Sequence, residues 1–385
     1  MTVLKYYKSN EFNPVPINFS NKKSIGKHLL KRINLIERHL NINLTFLNNK
    51  DVLEFGPNGA ENTCLFAING CNIYLVEPHE KLHPLIKKNF QQIGKKNKLK
   101  LLSKKKIENF NVKKKFDIVI AEGFINTLNK RNFYVKKISK YLKNGGFLIL
   151  NYDDVYGGFF EYLKSYVLLK VCYKKKINPK SQKGYDLALK LFKKEFDNLN
   201  KSRSFSSWWK DQLINPYASK IWSLNELFKL AKSLKLICHS NSPVFSNLNS
   251  HKWYKDVENK NFDYRYWNKI ILNEWRKNYL TFFLGKKVKS KKIISEKLLK
   301  DIYKTTKKMN LMLLNHKLNY KVEIQKEFYE FLKDNDLKIY SKELIKLLKL
   351  LNSDMNNSNL IINYYLKSNI SKTWGNLLHY VVFKK

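Results

Sequence analysis

The chain has 385 residues, of which 43% are hydrophobic, enough to bury one large core or one core and an added subdomain. That hydrophobic fraction excludes a globally disordered protein. The net charge of +43 comes mostly from lysine, since only six of the 74 basic residues are arginine. Lysine, asparagine and isoleucine are the residues of A/T-rich codons. We therefore interpret the charge as a surface-wide bias that attracts nucleic acid, anionic glycan or anionic lipid non-specifically.

The cysteines and the apolar stretches indicate the compartment. The four cysteines, Cys64, Cys71, Cys172 and Cys238, are not spaced as a metal knuckle or a C-x-x-C pair, which predicts buried free thiols and no metal site. The N-terminal residues lack a basic-then-apolar signal pattern, and no apolar stretch approaches the ~20 residues of a membrane span. We expect a cytoplasmic protein without a membrane span.

The first 155 residues predict an α/β fold. Residues 1–24 are expected to be irregular because of Pro14 and Pro16, and residues 25–48 show helical spacing of apolar residues. Strands and helices then alternate, in the order strand 51–55, helix 60–68, strand 72–77, helix 82–93, strands 98–102 and 116–121, helix 130–142 and strand 147–152. This alternation predicts a doubly wound parallel sheet covered on both faces.

The remaining residues predict a helical insertion and a helical extension. A capping box opens a helix at 223–234, and predicted strands follow at 236–239, at Tyr279–Leu284 and at the end of Thr373–Phe383. Three lysine-rich helices are expected within 288–352. The predicted organisation is an N-terminal segment (1–50), a Rossmann-like core (51–155), a helical and aromatic insertion (156–222), the last helix and strands of the core (223–287) and a C-terminal helical extension (288–385).

One turn of the chain indicates a nucleoside-binding unit. The strand Asp51–Phe55 leads into a glycine turn that ends at Gly59, and Glu77 closes the next apolar run. Such a layout offers backbone amides at one strand end and a carboxylate for ribose hydroxyls at the next. Asn58 and Glu61 stand where a G-x-G-x-x-G loop has glycine, which excludes the dinucleotide fingerprint, although asparagine tolerates the left-handed conformation of such a turn. A plain turn without a ligand is the alternative.

Four segments, in the expected order and at usual distances, carry a family resemblance. Val52–Gly59 resembles motif I of the class I S-adenosylmethionine-dependent methyltransferases, Tyr74–Pro78 resembles motif II, Phe116–Gly123 resembles motif IV, and Leu142–Leu150 resembles the turn and strand that follow it. The resemblance implies a seven-stranded Rossmann-like sheet and S-adenosylmethionine as cofactor. Asn58 and Ala60 depart from the family, in which many members have glycine.

The resemblance also implies roles for individual residues. The turn of Gly56, Pro57, Asn58 and Gly59 would pass the methionine part of the cofactor, with Glu54 positioning it, and Glu77 would accept the ribose hydroxyls. The adenine would be bordered by Pro78, His79, Ile107 and Glu108. Glu122 and Gly123 would form the floor of the reacting centre, unless Glu122 only caps a helix.

The implied chemistry is an in-line displacement at the sulfonium methyl group, in which alignment and exclusion of water contribute most of the rate. A general base is needed only when the acceptor is a hydroxyl or a protonated amine. The candidates at strand ends are Tyr152, Asp153, Asp154 and His79.

The sequence does not decide which class of molecule accepts the methyl group. Low arginine content, the lack of an RNA module and a large insertion favour a small-molecule or glycan-type hydroxyl, and Trp374–Phe383 resembles the tails of some surface-polysaccharide methyltransferases. An RNA methyltransferase that uses the basic surface is the second reading, and a catalytically silent scaffold is the third. The aromatic segments 202–222, with Trp208 and Trp209, and 253–275 are interpreted as a substrate lid, a base-stacking surface or core packing.

Overall fold

The computed structural model describes residues 3–10, 17–199, 203–217, 221–245, 264–315, 321–353 and 357–385. The chain divides into two compact units. Unit 1 consists of Met1–Tyr152, Leu224–Leu272 and His379–Lys385, and unit 2 consists of Asp153–Ser223 and Asn273–Leu378. Within the described residues, no helix has the length and apolarity needed to cross a bilayer.

Unit 1 is built on a seven-stranded sheet with the strand order β3-β2-β1-β4-β5-β7-β6. The strands are β1 (Asp51–Phe55), β2 (Asn72–Val76), β3 (Leu99–Ser103), β4 (Phe116–Ala121), β5 (Leu142–Asp153), β6 (Ile237–Ser242) and β7 (Leu378–Lys384). The first five strands pair in parallel, whereas β6 and β7 pair antiparallel. The predicted seven-stranded Rossmann-like sheet is confirmed, including the strand at the end of the chain.

Helices occupy most of the remaining described residues. They are α1 (Val3–Asn10), α2 (Lys22–Ile33), α3 (Cys64–Ile68), α4 (His83–Gln92), α5 (Arg131–Ser139), α6 (Phe159–Lys174), α7 (Gln182–Asn198), α8 (Phe205–Trp208), α9 (Leu224–Ser233), α10 (Tyr264–Lys277), α11 (Tyr279–Leu284), α12 (Glu296–Asn315), α13 (Lys326–Asp334), α14 (Lys338–Asn352), α15 (Ser358–Lys367) and α16 (Asn369–Lys372). The three expected lysine-rich helices are α12, α13 and α14.

Helix α2 covers one face of the sheet. Asn21 caps its start by accepting the backbone N–H of Ser24 at 3.1 Å. Its apolar residues Ile25, Leu29 and Ile33 recur at helical spacing and pack against the buried cluster around β1 and α3. The apolar stripe of α2 therefore fixes which of its polar side chains face the strand ends.

Two predictions in the N-terminal half are wrong in their bounds. Val3–Asn10 is helical, although residues 1–24 were expected to be irregular; Pro14 and Pro16 lie outside the described residues. Helix α3 begins at Cys64 instead of residue 60, because Ala60 has a φ of 61° and so belongs to the turn that follows β1.

The predicted strand at Tyr279–Leu284 is wrong: these residues form α11. An apolar run of this length fits a buried strand or a buried helix equally well, and periodicity cannot distinguish the two. Five of its six residues are buried, and Gly285 ends the helix in the left-handed conformation, with a φ of 68°. The segment 223–287 thus contributes α9 and β6 to the sheet unit but contains helices where further strands were expected.

The aromatic residues of unit 2 form its core. Trp208 is 1% exposed, and its ring centroid lies 5.3 Å from that of Phe196 and 5.1 Å from that of Trp374. Trp209 is buried as well. Burial leaves neither indole free to stack on nucleic-acid bases, which supports core packing for this pair. The other aromatic segment cannot be compared in the same way, because Trp253 and Tyr254 lie outside the described residues.

Candidate functional site

The glycine turn after β1 has an unusual backbone. Gly56 has a φ of 64°, and its N–H donates to the carbonyl of Val76 at 2.9 Å. A Cβ at Gly56 would lie 2.8 Å from the ring of Phe124, so the position requires glycine. Asn58 and Ala60 have φ angles of 55° and 61°. The two residues that depart from the family pattern therefore adopt the backbone conformation that glycine normally supplies.

Glu61, the other departure from a glycine-rich loop, lies inside this turn. Its side chain is buried, and a Cβ at Gly59 would collide with the Glu61 carboxylate. The carbonyl of Gly59 accepts the side-chain amide of Asn89 in α4 at 2.8 Å. The Glu61 side chain and the Asn89 amide therefore both contact Gly59, and the turn forms although position 61 is not glycine.

Glu77 directly follows β2 and faces the same turn. Its carboxylate accepts the backbone N–H of Asn58 at 3.1 Å and that of His79 at 2.8 Å. Glu77 is 6% exposed, and this burial raises the pKa of its carboxyl group to about 7, against the lowering effect of the two N–H donors. The glycine turn and the acidic residue, which the sequence separates by 21 positions, therefore meet at one edge of the sheet.

A buried ion pair lies at the end of β4. The guanidinium of Arg32 in α2 donates to both oxygens of Glu122, at 2.8 Å and 3.2 Å, and both side chains are 7% exposed. Burial alone would lower the pKa of Arg32, but the facing charge of Glu122 raises it above its usual value. Asn62 also donates to Glu122 at 3.0 Å. The Glu122 carboxylate pairs with these side chains, and the short helical turn that follows has no side-chain cap.

Glu54 adds a second buried carboxyl group beside this pair. Its Oε2 accepts the hydroxyl of Thr63, and the residue is 2% exposed. Burial first, and the charge of Glu122 second, raise the pKa of Glu54 to about 8. The Arg32–Glu122 ion pair and the raised pKa of Glu54 together limit the negative charge that these carboxyl groups carry at pH 7.

The residues expected around adenine differ in exposure. Pro78 and His79 are half-buried beside Glu77, and Ile107 is buried. Glu108 is exposed and accepts the phenol of Tyr134 at 2.5 Å. On the other side of the sheet edge, Gly123 has a φ of 79° and donates its N–H to the side chain of Asn151 at 2.6 Å.

The four candidate bases do not lie together within one unit. Tyr152 in unit 1 is 1% exposed, and its hydroxyl lies 3.4 Å from Nδ1 of His379. Asp153 and Asp154 belong to unit 2. Asp154 is fully buried and accepts the N–H groups of Tyr156 and Gly157 at 3.1 Å and 2.8 Å, so it shapes a turn, and burial raises its pKa to about 7. His79 lies next to Glu77.

The structure adds residues that the sequence motifs did not reveal. Arg32 and Asn62 bind Glu122, and the hydroxyl of Tyr380 lies 3.4 Å from the same carboxylate. His28 lies one helical turn before Arg32, and its Nε2 atom is buried without a hydrogen-bond partner. Only the rarity of arginine could have pointed to Arg32. In a lysine-rich chain, an arginine indicates a position where the planar guanidinium makes a bidentate contact with a carboxylate.

No cluster of three or more His, Cys, Asp or Glu side chains suited to a metal ion occurs among the residues that the structure describes. The four cysteines are free and buried, as predicted, and burial raises the thiol pKa of each above its usual value.

Comparison with known proteins shows what part of the sheet unit is similar to. Residues 53–150 match the family model described as a methyltransferase domain. A search of curated proteins found no match. Three solved structures are among those that match part of this chain. An S-adenosylmethionine-dependent methyltransferase from Clostridium acetobutylicum ATCC 824 is 22% identical over 34% of this chain and 52% of that chain, with a TM-score of 0.29.

PKMT2 from Rickettsia typhi, solved in complex with AdoHcy, is 15% identical over 70% of this chain and 52% of that chain, with a TM-score of 0.43. The CcbJ methyltransferase from Streptomyces caelestis is 12% identical over 34% of this chain and 51% of that chain, with a TM-score of 0.28. The chain thus spans about half the length of each. Residues 53–150 are therefore similar to a methyltransferase domain.

Proposed function

We propose that the protein transfers a methyl group from S-adenosylmethionine to a small-molecule or glycan-type hydroxyl acceptor. The observation that carries this proposal is the meeting of the turn Gly56–Gly59 with the Glu77 carboxylate, which lies 3.1 Å from the N–H of Asn58. A nucleoside cofactor needs this combination of a tight turn and a carboxylate at adjacent strand ends.

The residues at the strand ends fit the parts of S-adenosylmethionine. Each oxygen of ionised Glu77 accepts one backbone hydrogen bond here, and its remaining lone pairs can accept two ribose hydroxyls. The carboxyl oxygens of Glu54 and Glu61, both buried at this end of the sheet, are possible hydrogen-bond acceptors for the ammonium group of the methionine part. The cofactor supplies an activated methyl group, and the residues of this chain hold it and exclude water.

The remaining assignments follow the same edge of the sheet. Pro78, His79 and Ile107 would border the adenine, Gly56, Pro57 and Gly59 would pass the methionine part, and Gly123 would lie under the reacting centre. Glu108 fits this scheme less well than the others, since its side chain already binds Tyr134.

The acceptor class is supported by composition and packing. A surface that binds the phosphates of RNA usually contains arginine. Three of the six arginines, Arg32, Arg203 and Arg276, instead donate hydrogen bonds to other groups of the protein. The indoles of Trp208 and Trp209 are buried, so they offer no stacking platform for RNA bases. Both observations favour a pocket-bound hydroxyl acceptor over RNA.

An inactive scaffold is a weaker alternative. The argument for a scaffold is that positions 58 and 60 lack glycine. Asn58 and Ala60 nevertheless adopt the left-handed conformation that the turn requires. The turn therefore gives no reason to expect a loss of cofactor binding.

The acceptor can be tested with S-adenosylmethionine labelled in its methyl group. The protein would be incubated at 150 mM salt with separate RNA, protein, glycan and small-molecule fractions of an extract from the organism that makes it. We expect label in the glycan or small-molecule fraction. Incorporation that occurs only in RNA and disappears after nuclease treatment would contradict the acceptor class, and no incorporation by a protein that binds the cofactor would favour the scaffold.

A further inference from the structure

Helix α2 presents two side chains to the end of β4. His28 and Arg32 are four residues apart, so they lie on the same face of the helix. Arg32 is fixed by its two hydrogen bonds to Glu122, the residue that directly follows β4. The apolar stripe of Ile25, Leu29 and Ile33 lies next to these two side chains on the helix and packs against the core, so it holds His28 and Arg32 toward the sheet.

The His28 ring has a buried nitrogen with nothing to bind. Its Nε2 atom is shielded from solvent and has no hydrogen-bond partner, which is costly for a ring nitrogen and rare in folded proteins. The neighbouring Arg32 is nine-tenths buried and uses both terminal nitrogens on Glu122. An unpartnered acceptor near the Arg32–Glu122 pair can take a donor that arrives with a ligand.

The charges around His28 keep it neutral at physiological pH. Burial, and then the positive charges of Arg32 and Lys31 on its own helix, lower its pKa to about 4. A hydrogen bond between the His28 ring and the backbone of Glu61, in the turn after β1, and the charge of the Glu122 carboxylate after β4 act in the opposite direction but do not outweigh them. The ring is therefore available at pH 7 as a hydrogen-bond acceptor.

We propose that His28 is the general base of the reaction, with Nε2 accepting the proton of the acceptor's hydroxyl group. This inference rests on the proposed function. The acceptor's oxygen bonds to the methyl carbon as the sulfur–carbon bond breaks, the bonding electrons return to sulfur, and the hydroxyl proton moves to Nε2. The positive charge on sulfur disappears in this step, so the proton affinity of a nearby imidazole rises as the methyl group leaves.

Sinefungin provides a test that does not need the acceptor. In this analogue an amine-bearing carbon replaces the methylsulfonium group, so its amine occupies the position where methyl group and acceptor meet. We would measure the affinities of sinefungin and S-adenosylhomocysteine for the wild type, His28→Ala and His28→Asn by titration calorimetry. Lys27→Ala, an exposed change on the same helix, is the matched control.

We expect His28→Ala to weaken sinefungin binding by about tenfold or more, the value of a lost charge-assisted hydrogen bond, and to change S-adenosylhomocysteine binding less than about twofold. Equal losses for both ligands would assign His28 to cofactor binding and overturn the proposal, as would no loss for either. If the wild type binds neither ligand, the proposed function itself fails.

A measurement on the unmodified protein guards against variants that fail to fold. The ¹⁵N signal of His28 Nε2 should shift when sinefungin binds and should shift much less with S-adenosylhomocysteine. An identical response to the two ligands would contradict the proposal.

Discussion

Asn58 and Ala60 adopt a backbone conformation that L-residues seldom occupy, with φ angles of 55° and 61°. For a residue such as alanine this conformation costs about 1–2 kcal/mol, whereas asparagine tolerates it better. Such strain persists only where the surroundings enforce it, and it is concentrated at ligand-binding turns. The contacts of Gly56, Gly59 and Glu77 around these two residues provide that enforcement.

Gly56 and Gly26 form a matched pair for testing the turn. Gly56→Ala places a Cβ 2.8 Å from the Phe124 ring at a φ of 64°, and we expect it to destabilise the protein by about 2 kcal/mol. Gly26 lies inside α2 with nothing within 4 Å of its Cβ position, so Gly26→Ala should stabilise by about 0.5–1 kcal/mol. Urea unfolding of both variants measures this; effects of the same sign would contradict the structure of the turn.

Glu77 predicts how cofactor affinity depends on pH. Its carboxyl pKa is raised to about 7 in the free protein, and only the ionised form accepts two ribose hydroxyls. With this pKa, roughly one tenth of Glu77 is ionised at pH 6 and roughly nine tenths at pH 8. The affinity should therefore rise by roughly tenfold between these two pH values.

The control for this pH dependence is Glu77→Gln, which cannot ionise. Calorimetric affinities for S-adenosylhomocysteine should lack the step near pH 7 in this variant. A wild-type affinity that is constant from pH 6 to pH 8 would contradict the role given to Glu77.

At the scale of elements, the alternation of strands and helices in residues 51–152 was sufficient to predict a doubly wound parallel sheet. The strands β1, β2 and β4 at its centre are apolar and mostly buried, as such a sheet requires. The strand predicted at Tyr279–Leu284 was wrong because a short apolar run has no periodicity that could distinguish a strand from a helix. Arg32 was missed because its partner Glu122 is 90 residues away, and no spacing rule relates a helix residue to a distant strand end.

The ion pair between α2 and β4 should contribute strongly to the stability of unit 1. Arg32→Met leaves Glu122 buried without its counter-charge, and we expect a loss of about 3–5 kcal/mol in the free energy of unfolding. Urea titration at pH 8 measures the loss.

The double variant Arg32→Met/Glu122→Gln separates the charge effect from the packing effect. It should recover part of the stability, because no unpaired charge remains buried. A single variant within about 1 kcal/mol of the wild type would show that the pair does not hold α2 in place.

At the scale of the whole molecule, composition was a poor guide to function. The charge of +43 is carried by lysines along the entire chain, whereas the arginines at positions 32, 203 and 276 are occupied within the protein. The candidate site, by contrast, contains buried glutamates, Glu54, Glu61 and Glu77 among them. The sequence motifs point to these residues, whereas the net charge points to a lysine-rich surface.

The most direct measurement is calorimetric titration of the purified protein with S-adenosylmethionine and S-adenosylhomocysteine at pH 8, together with Glu77→Ala and the surface control Lys27→Ala. We predict binding with a dissociation constant of roughly micromolar order for the wild type and the control, about −8 kcal/mol, and loss of binding in Glu77→Ala. Absence of binding to the wild type would contradict the account and would leave a methyltransferase fold that serves as a scaffold.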